Sequence, residues 1–266
     1  MTVAISFVSQ KGGVGKTTLA LNISLALAKL GFRVLLVDVD PQGGIAISLD
    51  NESEVGGLKA YLAGTPLRDA VLTTRLAGFS ILPLQHLRGL ERAAVSSDLE
   101  SGLRLQVLVD SAKQFDLVVF DTPAGLSGST LGALRASDLA FTAMQAEPLA
   151  ARTFPQLLEV LGELRDEGAR ISLAGIILTM VQTKIDSSLK VMESMWENMP
   201  DNLVLDAHIP RDPVFLKASE MGVPLGLLSR RPPPIAHRFD ELAAEISNLL
   251  PALDKGENDE PISLFV

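Results

Sequence analysis

The chain of 266 residues contains no cysteine. Disulfides, thiolate metal sites, cysteine nucleophiles and iron–sulfur clusters bound by cysteine are therefore excluded. Aromatic residues make up only 5% of the sequence, whereas hydrophobic residues make up 47%. The core must therefore be built from aliphatic side chains, which suits the buried strands of a parallel sheet.

The sequence also lacks an excess of positive charge and any long hydrophobic run. It has 23 basic and 32 acidic residues, which give a net charge of −9. Proteins dedicated to nucleic-acid binding are usually basic, so the balance argues against constitutive DNA binding but leaves room for a local basic patch.

No run approaches the roughly 18 apolar residues of a membrane span. The apolar start at 3–8 is too short for a signal peptide, so we expect a cytoplasmic protein.

Short apolar runs alternate with amphipathic stretches along the chain. Strands are predicted at 3–8, 33–38, 79–84, 115–121, 138–146, 171–179 and 203–209. Helices are predicted at 16–30, 98–114, 150–167, 187–199 and 235–250, with three weaker helical pieces between 44 and 94. This alternation predicts one α/β domain over residues 1–251, with a mostly parallel sheet flanked by helices on both faces. The acidic remainder, 252–266, is expected to be a flexible tail.

A glycine-rich segment, QKGGVGKTT at residues 10–18, lies between the first predicted strand and helix. Its glycines let backbone N–H groups approach a phosphate closely, and the helix N-terminus adds a partial positive charge. Lys16 would contact the β- and γ-phosphates, and the Thr17 hydroxyl is the expected Mg²⁺ ligand. The segment departs from the general phosphate-loop pattern because Gln10 replaces its first glycine and an extra lysine, Lys11, stands before a glycine pair.

Two of the predicted strands end in aspartates. One is followed by Asp38-Val39-Asp40, and another ends at Asp121. An isolated aspartate after a strand is usually a turn or cap residue. Two such strand ends downstream of a phosphate loop instead favour a metal–phosphate site, because ligands bind at the carboxyl ends of parallel strands. Asp121 suits the Walker B role, in which a carboxylate holds Mg²⁺ directly or through water.

The K-G-G-x-G-K-T order at 11–17 resembles the deviant phosphate loop of the ParA/MinD family of P-loop ATPases. The DVDPQG stretch at 38–43 resembles the second acidic motif of that family. Similar likenesses are found for GIILTM at 175–180, HIPR at 208–211 and GVPL at 222–225, so the resemblance extends to about residue 250. After Asp121 the sequence departs from the family, because DTPAG replaces the frequent D-x-P-P.

The resemblance implies ATP and Mg²⁺ as cofactors and a homodimer in the ATP-bound state. It implies that Lys11 reaches the nucleotide of the partner subunit and that Asp40 positions the attacking water. The expected catalytic residues are Lys11, Lys16 and Asp40. The expected metal residues are Thr17, Asp38 and Asp121. The expected nucleotide-binding residues are Lys11, Gly12, Gly13, Val14, Gly15, Lys16, Thr17, Thr18, Met180, Pro210 and Arg211.

Some relatives of this kind can be set aside. Nitrogenase iron protein and the iron–sulfur carrier ATPases need cysteines, and the related bacterial tyrosine kinases carry a tyrosine cluster, whereas Tyr61 is the one tyrosine here. MinD-like proteins end in a basic amphipathic helix that lies on membrane, and this chain ends acidic. The sequence therefore favours a ParA-like partition or cargo-positioning ATPase.

Such a protein, by resemblance, binds nonspecific DNA as an ATP dimer and is stimulated by an adaptor protein on its cargo. A nucleoid-associated location would follow. The expected DNA contacts are Lys184, Lys217, Arg230 and Arg231. Only the Arg230-Arg231 pair, in a proline-rich loop, stands out from ordinary surface charge. Two alternatives stay open: a metabolic ATP-dependent ligase of the same fold, resembling dethiobiotin synthetase, and a membrane-associated MinD-like regulator.

Overall fold

A seven-stranded sheet forms the centre of the computed structural model, which describes residues 2–49, 56–85, 87–147, 153–182, 184–200 and 203–250. The strands are β1 Val3–Val8, β2 Val34–Asp38, β3 Leu72–Thr73, β4 Phe79–Leu82, β5 Leu117–Asp121, β6 Leu139–Gln145 and β7 Ser172–Thr179. Their order is β3-β4-β2-β5-β1-β6-β7, and every neighbouring pair is parallel except β3 and β4. The predicted α/β class is confirmed, and the expected tail at 252–266 lies outside the described residues.

Helices cover both faces of the sheet. They are α1 Lys16–Lys29, α2 Gly44–Ser48, α3 Gly57–Leu62, α4 Leu67–Ala70, α5 Leu90–Glu100, α6 Leu103–Ser111, α7 Ser129–Arg135, α8 Phe154–Asp166, α9 Asp186–Asn198, α10 Val214–Glu220 and α11 Ala236–Leu249. Alternate strand residues face opposite sides, so Ile5 packs with α1 and α11, whereas Ala4 packs with α6 and α7. Within the described residues, none of the helices is long and apolar enough to cross a bilayer.

The strand predicted at 203–209 is wrong. The segment forms no continuous ladder with β7: it makes an isolated bridge at Val204 with Ile176, and the Ile209 N–H donates to the Leu178 carbonyl at 2.9 Å. A second isolated bridge joins Pro210 to Val181, just after β7. Between these points the backbone N–H groups of Asp206 and Ala207 donate to the Glu245 carboxylate of α11, each at 2.9 Å. A side chain from a distant helix thus takes the donors that a strand ladder would use, and sequence periodicity gives no sign of it.

The single helix predicted at 98–114 is two helices, α5 and α6, separated at Gly102. This glycine adopts the left-handed conformation, with φ of 76°. A Cβ atom at this position would lie 2.7 Å from the Cβ atom of Arg135, so the turn needs both the conformational freedom and the small size of glycine. The short elements β3, α7 and α10 were not predicted, because each is too brief to show a clear periodicity.

Candidate functional site

The phosphate loop lies between β1, in the middle of the sheet, and the first turn of α1. Gly13 and Gly15 have φ of 74° and 93°, the left-handed region in which most side chains are strained. The helix that follows has 14 residues, and its unpaired N-terminal N–H groups point toward the loop. The loop therefore has the backbone geometry that an anion site needs.

Lys16 is the buried lysine of this loop, with only 7% of its surface exposed. Burial lowers the pKa of its ammonium group, while the nearby Asp121 and Asp40 carboxylates act in the opposite direction. The structure thus brings together the predicted phosphate-binding lysine and two of the predicted acidic residues. Because a buried site has a lower effective dielectric constant than water, the Lys16 ammonium group interacts strongly with a phosphate that enters the loop.

Asp121 is the residue best placed to hold a metal. It is fully buried at the carboxyl end of β5, and neither of its carboxylate oxygens accepts a hydrogen bond from the described residues. Burial raises the pKa of this carboxyl to about 7, while the Thr17 hydroxyl and Lys16 act against that rise. The Thr17 hydroxyl is close enough to affect the pKa but does not donate a hydrogen bond of good geometry. Buried, unpaired oxygens of this kind fit a cation.

The residues around Asp121 fit Mg²⁺ in particular. Among the described residues, no group of three or more His, Asp or Glu side chains is arranged to hold a metal alone. Mg²⁺ usually takes one or two protein ligands and completes its shell with water and phosphate oxygens. Asp121, with Thr17 beside it, therefore fits a metal that binds together with a nucleotide.

Asp38 serves a different purpose from Asp121, although the two are register partners on neighbouring strands. Its two oxygens accept the N–H groups of Asp40 and Ile45, each at 3.0 Å. Burial and the charge of Asp121 raise its pKa well above the usual value. The carboxylate thus shapes the loop after β2, and its expected part in the metal site stays a prediction.

Asp40 lies in the loop that Asp38 shapes, and it is half-buried. Its carboxylate accepts the Gln42 N–H at 2.9 Å, and its carbonyl oxygen accepts the Gly43 N–H at 2.8 Å. The second carboxylate oxygen accepts no hydrogen bond from the described part of the chain, so it can accept one from a water molecule. This arrangement suits the expected role of Asp40 in positioning the attacking water.

The residues expected near the base meet at the carboxyl end of β7. Met180 follows that strand with φ of 52°, an unusual value for a residue other than glycine. The turn brings Val181 alongside Pro210, and the Arg211 N–H donates to the Val181 carbonyl at 3.0 Å. Because β1 and β7 run parallel, these residues lie at the same edge of the sheet as the phosphate loop.

Lys11 lies at this edge too, but its side chain is exposed and contacts its own chain. The Nζ atom donates to Gln145 Oε1 at 3.0 Å and lies 2.9 Å from Glu147 Oε2. Sequence analysis missed both partners. Their position directly at the end of a predicted strand is the signal that would have pointed to them, as it did for the aspartates.

Comparison with known proteins agrees with this geometry. A family model described as an AAA domain matches residues 2–174. The chromosome partitioning protein ParA of Caulobacter vibrioides is 30% identical over 229 residues, 83% of this chain and 85% of the relative. The chromosome-partitioning ATPase Soj of Thermus thermophilus is 34% identical over 246 residues, 91% of this chain and 94% of the relative. The chain belongs to the ParA/MinD family of ATPases.

Solved structures of this fold contain the expected cofactors. The septum site-determining protein MinD of Pyrococcus horikoshii, complexed with Mg-ADP, has a TM-score of 0.75 at 27% identity, covering 96% of this chain and all of the other (100%). Cobyrinic acid a,c-diamide synthase of Mycobacterium smegmatis, with a bound ATP analogue and magnesium, has a TM-score of 0.73 at 26% identity, covering 99% and 100%. This ParA/MinD protein is thus a partition or positioning ATPase that uses ATP and Mg²⁺.

The basic residues expected to contact DNA lie on three separate parts of this ParA/MinD ATPase. Arg230 and Arg231 are exposed in the loop between a 3-10 turn at Leu225–Leu227 and α11. Neither has an ion-pair partner among the residues that the structure describes. Lys184 and Lys217 are also exposed, but they lie on separate elements, before α9 and within α10. The arginine pair is therefore the sharper candidate.

Proposed function

We propose that this ATPase is a switch that dimerises when it binds ATP and then binds nonspecific DNA, with hydrolysis stimulated by an adaptor protein on a cargo. One observation carries the proposal: the phosphate loop holds two lysines in opposite environments. Lys16 is buried beside the expected metal site, whereas half of the Lys11 side chain (50%) is exposed. Because Lys11 is half-exposed, its ammonium group can reach a nucleotide that another subunit holds.

Within one subunit, each polar residue has a separate task. Lys16 would bind the β- and γ-phosphates, and Asp121 and Thr17 would hold Mg²⁺, which would offset phosphate charge. Asp40, held in place by the loop that Asp38 shapes, accepts a hydrogen bond from the attacking water. All of these contacts are made within one subunit. Lys11 of the partner would add charge only in the dimer, so ATP links dimerisation to hydrolysis.

DNA binding is proposed for the dimer because one subunit has too little positive charge. The net charge of −9 opposes binding by the monomer. Arg230 and Arg231 are exposed and unpaired within the described residues, so they can neutralise phosphates without breaking an existing ion pair. Two subunits present two such pairs, which doubles the number of phosphates that can be neutralised.

A gel shift on random-sequence duplex DNA tests this proposal. The wild type should shift DNA with ATP and Mg²⁺ but not with ADP, and Arg230→Glu with Arg231→Glu should abolish the shift. Arg68→Glu with Arg75→Glu is the matched control, since it changes the same amount of charge on exposed residues beside β3. If ATP-loaded wild type fails to shift DNA at low salt, the DNA-binding part of the proposal is wrong.

A metabolic ATP-dependent enzyme is the second candidate, because the diamide synthase has the same fold over nearly the whole chain. Basal turnover separates the two. A switch must stay loaded until it meets its partner, so its turnover should lie far below the roughly 10 s⁻¹ of a typical enzyme. Turnover near that value without any protein partner would favour the metabolic enzyme.

A further inference from the structure

Lys11 is held by its own subunit, although its proposed task lies on another. Its Nζ atom forms an ion pair with Glu147 at 2.9 Å and a hydrogen bond with Gln145 at 3.0 Å. Both partners are distant in sequence, 134 and 136 residues from Lys11. The contact therefore depends on the tertiary fold and holds the lysine against the end of β6.

The two acceptors are themselves fixed in place. The Gln145 side-chain amide donates to Glu147 Oε1 at 2.7 Å, which leaves Oε2 for Lys11. The backbone between them is tied to β7, because the Ala146 N–H donates to the Thr179 carbonyl at 3.1 Å. Glu147 thus offers Lys11 a ready-made acceptor site at the end of β6, so little ordering is needed to form the contact.

We infer that Glu147 is a positioning residue that keeps Lys11 on its own subunit until two ATP-bound subunits meet. The inference rests on the proposed function, in which Lys11 acts across the dimer. When the dimer forms, Lys11 must then break its contact with the Glu147 carboxylate and bind the triphosphate of the partner's nucleotide instead. A triphosphate competes for the lysine better than a diphosphate because it carries more charge, so an ATP-bound dimer can offset the cost of breaking this contact more fully than an ADP-bound dimer.

The size of the effect follows from the exposure of the ion pair. The Lys11 and Glu147 side chains are 50% and 41% exposed. An exposed ion pair changes an equilibrium constant by only about 1.4- to 5-fold. A symmetric dimer breaks two of them, so removing the contact should strengthen dimerisation by about 2- to 30-fold.

The test compares wild type with Glu147→Gln, which keeps the shape of the side chain and removes its charge. Sedimentation over a range of protein concentrations, with a non-hydrolysable ATP analogue and Mg²⁺, gives the dimer dissociation constant. Nucleotide affinity is measured separately on dilute monomer. Glu147→Gln should lower the dissociation constant of the dimer by about 2- to 30-fold and leave the nucleotide affinity of the monomer unchanged. Glu147→Ala, which also removes the Gln145 contact, should act in the same direction.

Glu167→Gln is the matched control. Glu167 is 58% exposed and pairs with Arg135 at 2.9 Å, just after α8 and far from the phosphate loop, so dimerisation should not change. If wild type dimerises and Glu147→Gln dimerises equally or less well, the positioning role is overturned while the proposed function stands. If wild type does not dimerise with any nucleotide, both are overturned.

Discussion

Two regions of this ATPase place their charges in opposite ways. The nucleotide edge is the edge of the sheet that carries the phosphate loop and the carboxyl ends of β2 and β5, and the arginine loop is the loop before α11 that carries Arg230 and Arg231. At the nucleotide edge Lys16, Asp38 and Asp121 are buried, and they act on one another's pKa values or accept backbone hydrogen bonds. In the loop before α11, Arg230 and Arg231 are exposed and have no ion pair among the described residues. Burying charge costs free energy, so the first region needs a motif of fixed spacing, whereas the second needs only surface.

Lys11 belongs to neither pattern. It lies in the motif yet is half-exposed, and its ion pair is of the kind that contributes little to stability. The comparison therefore predicts three grades of effect. Removing a buried charge should disable the nucleotide site, removing Lys11 should disable only the dimer, and removing the arginine pair should affect neither.

The largest effect is expected for Lys16→Ala. Removing one partner from a buried set of charged contacts costs about 2–5 kcal/mol, so nucleotide affinity should fall by a factor of about 30 or more. Calorimetric titration with ATP and Mg²⁺ measures this loss. Lys11→Ala is the control: it should bind ATP with normal affinity and fail to dimerise. Equal ATP-dependent dimerisation by wild type and Lys11→Ala would contradict the role assigned to Lys11.

The next effect separates the two acidic residues beside Lys16. Asp40→Ala should bind ATP and dimerise normally, while hydrolysis falls by about 10²-fold or more, because only the water-positioning group is lost. Asp121→Ala should instead weaken nucleotide binding in the presence of Mg²⁺ but not in its absence, because it removes the buried carboxylate oxygens that are expected to hold the metal. Wild-type turnover by Asp40→Ala in a steady-state phosphate-release assay would show that Asp40 has another role.

The smallest effect concerns the arginine loop and depends on salt. The salt slope of binding to duplex DNA grows by about 0.9 for each phosphate that the protein neutralises. Replacing Arg231 alone by Gln removes two phosphate contacts from the dimer, so it should lower the salt slope by about 1.8 and leave ATP-dependent dimerisation intact. Fluorescence anisotropy with labelled DNA at several salt concentrations measures the slope. An unchanged slope would place the DNA surface elsewhere.

Local chemistry explains what sequence analysis predicted well. The phosphate loop depends on glycines next to one another in the chain, and Asp121 depends on the apolar strand before it, so both were found without knowledge of the fold. The expected roles of Met180, Pro210 and Arg211 came from family resemblance. The structure brings these three residues together through one turn with positive φ and one bridge.

The sequence by itself determined the fold class, the family and the position of the candidate nucleotide site, because these depend on short-range spacing and on the alternation of strands and helices. Only the tertiary structure decided which groups meet across long stretches of chain. In the folded protein the backbone N–H groups of Asp206 and Ala207 donate to Glu245, so this segment forms no strand. The predicted helix is interrupted at Gly102, where the chain passes close to Arg135. The fold also brings Lys11 into an ion pair with Glu147. Each of these depends on side chains that meet only when the helices pack on the sheet, and no local pattern encodes such a meeting.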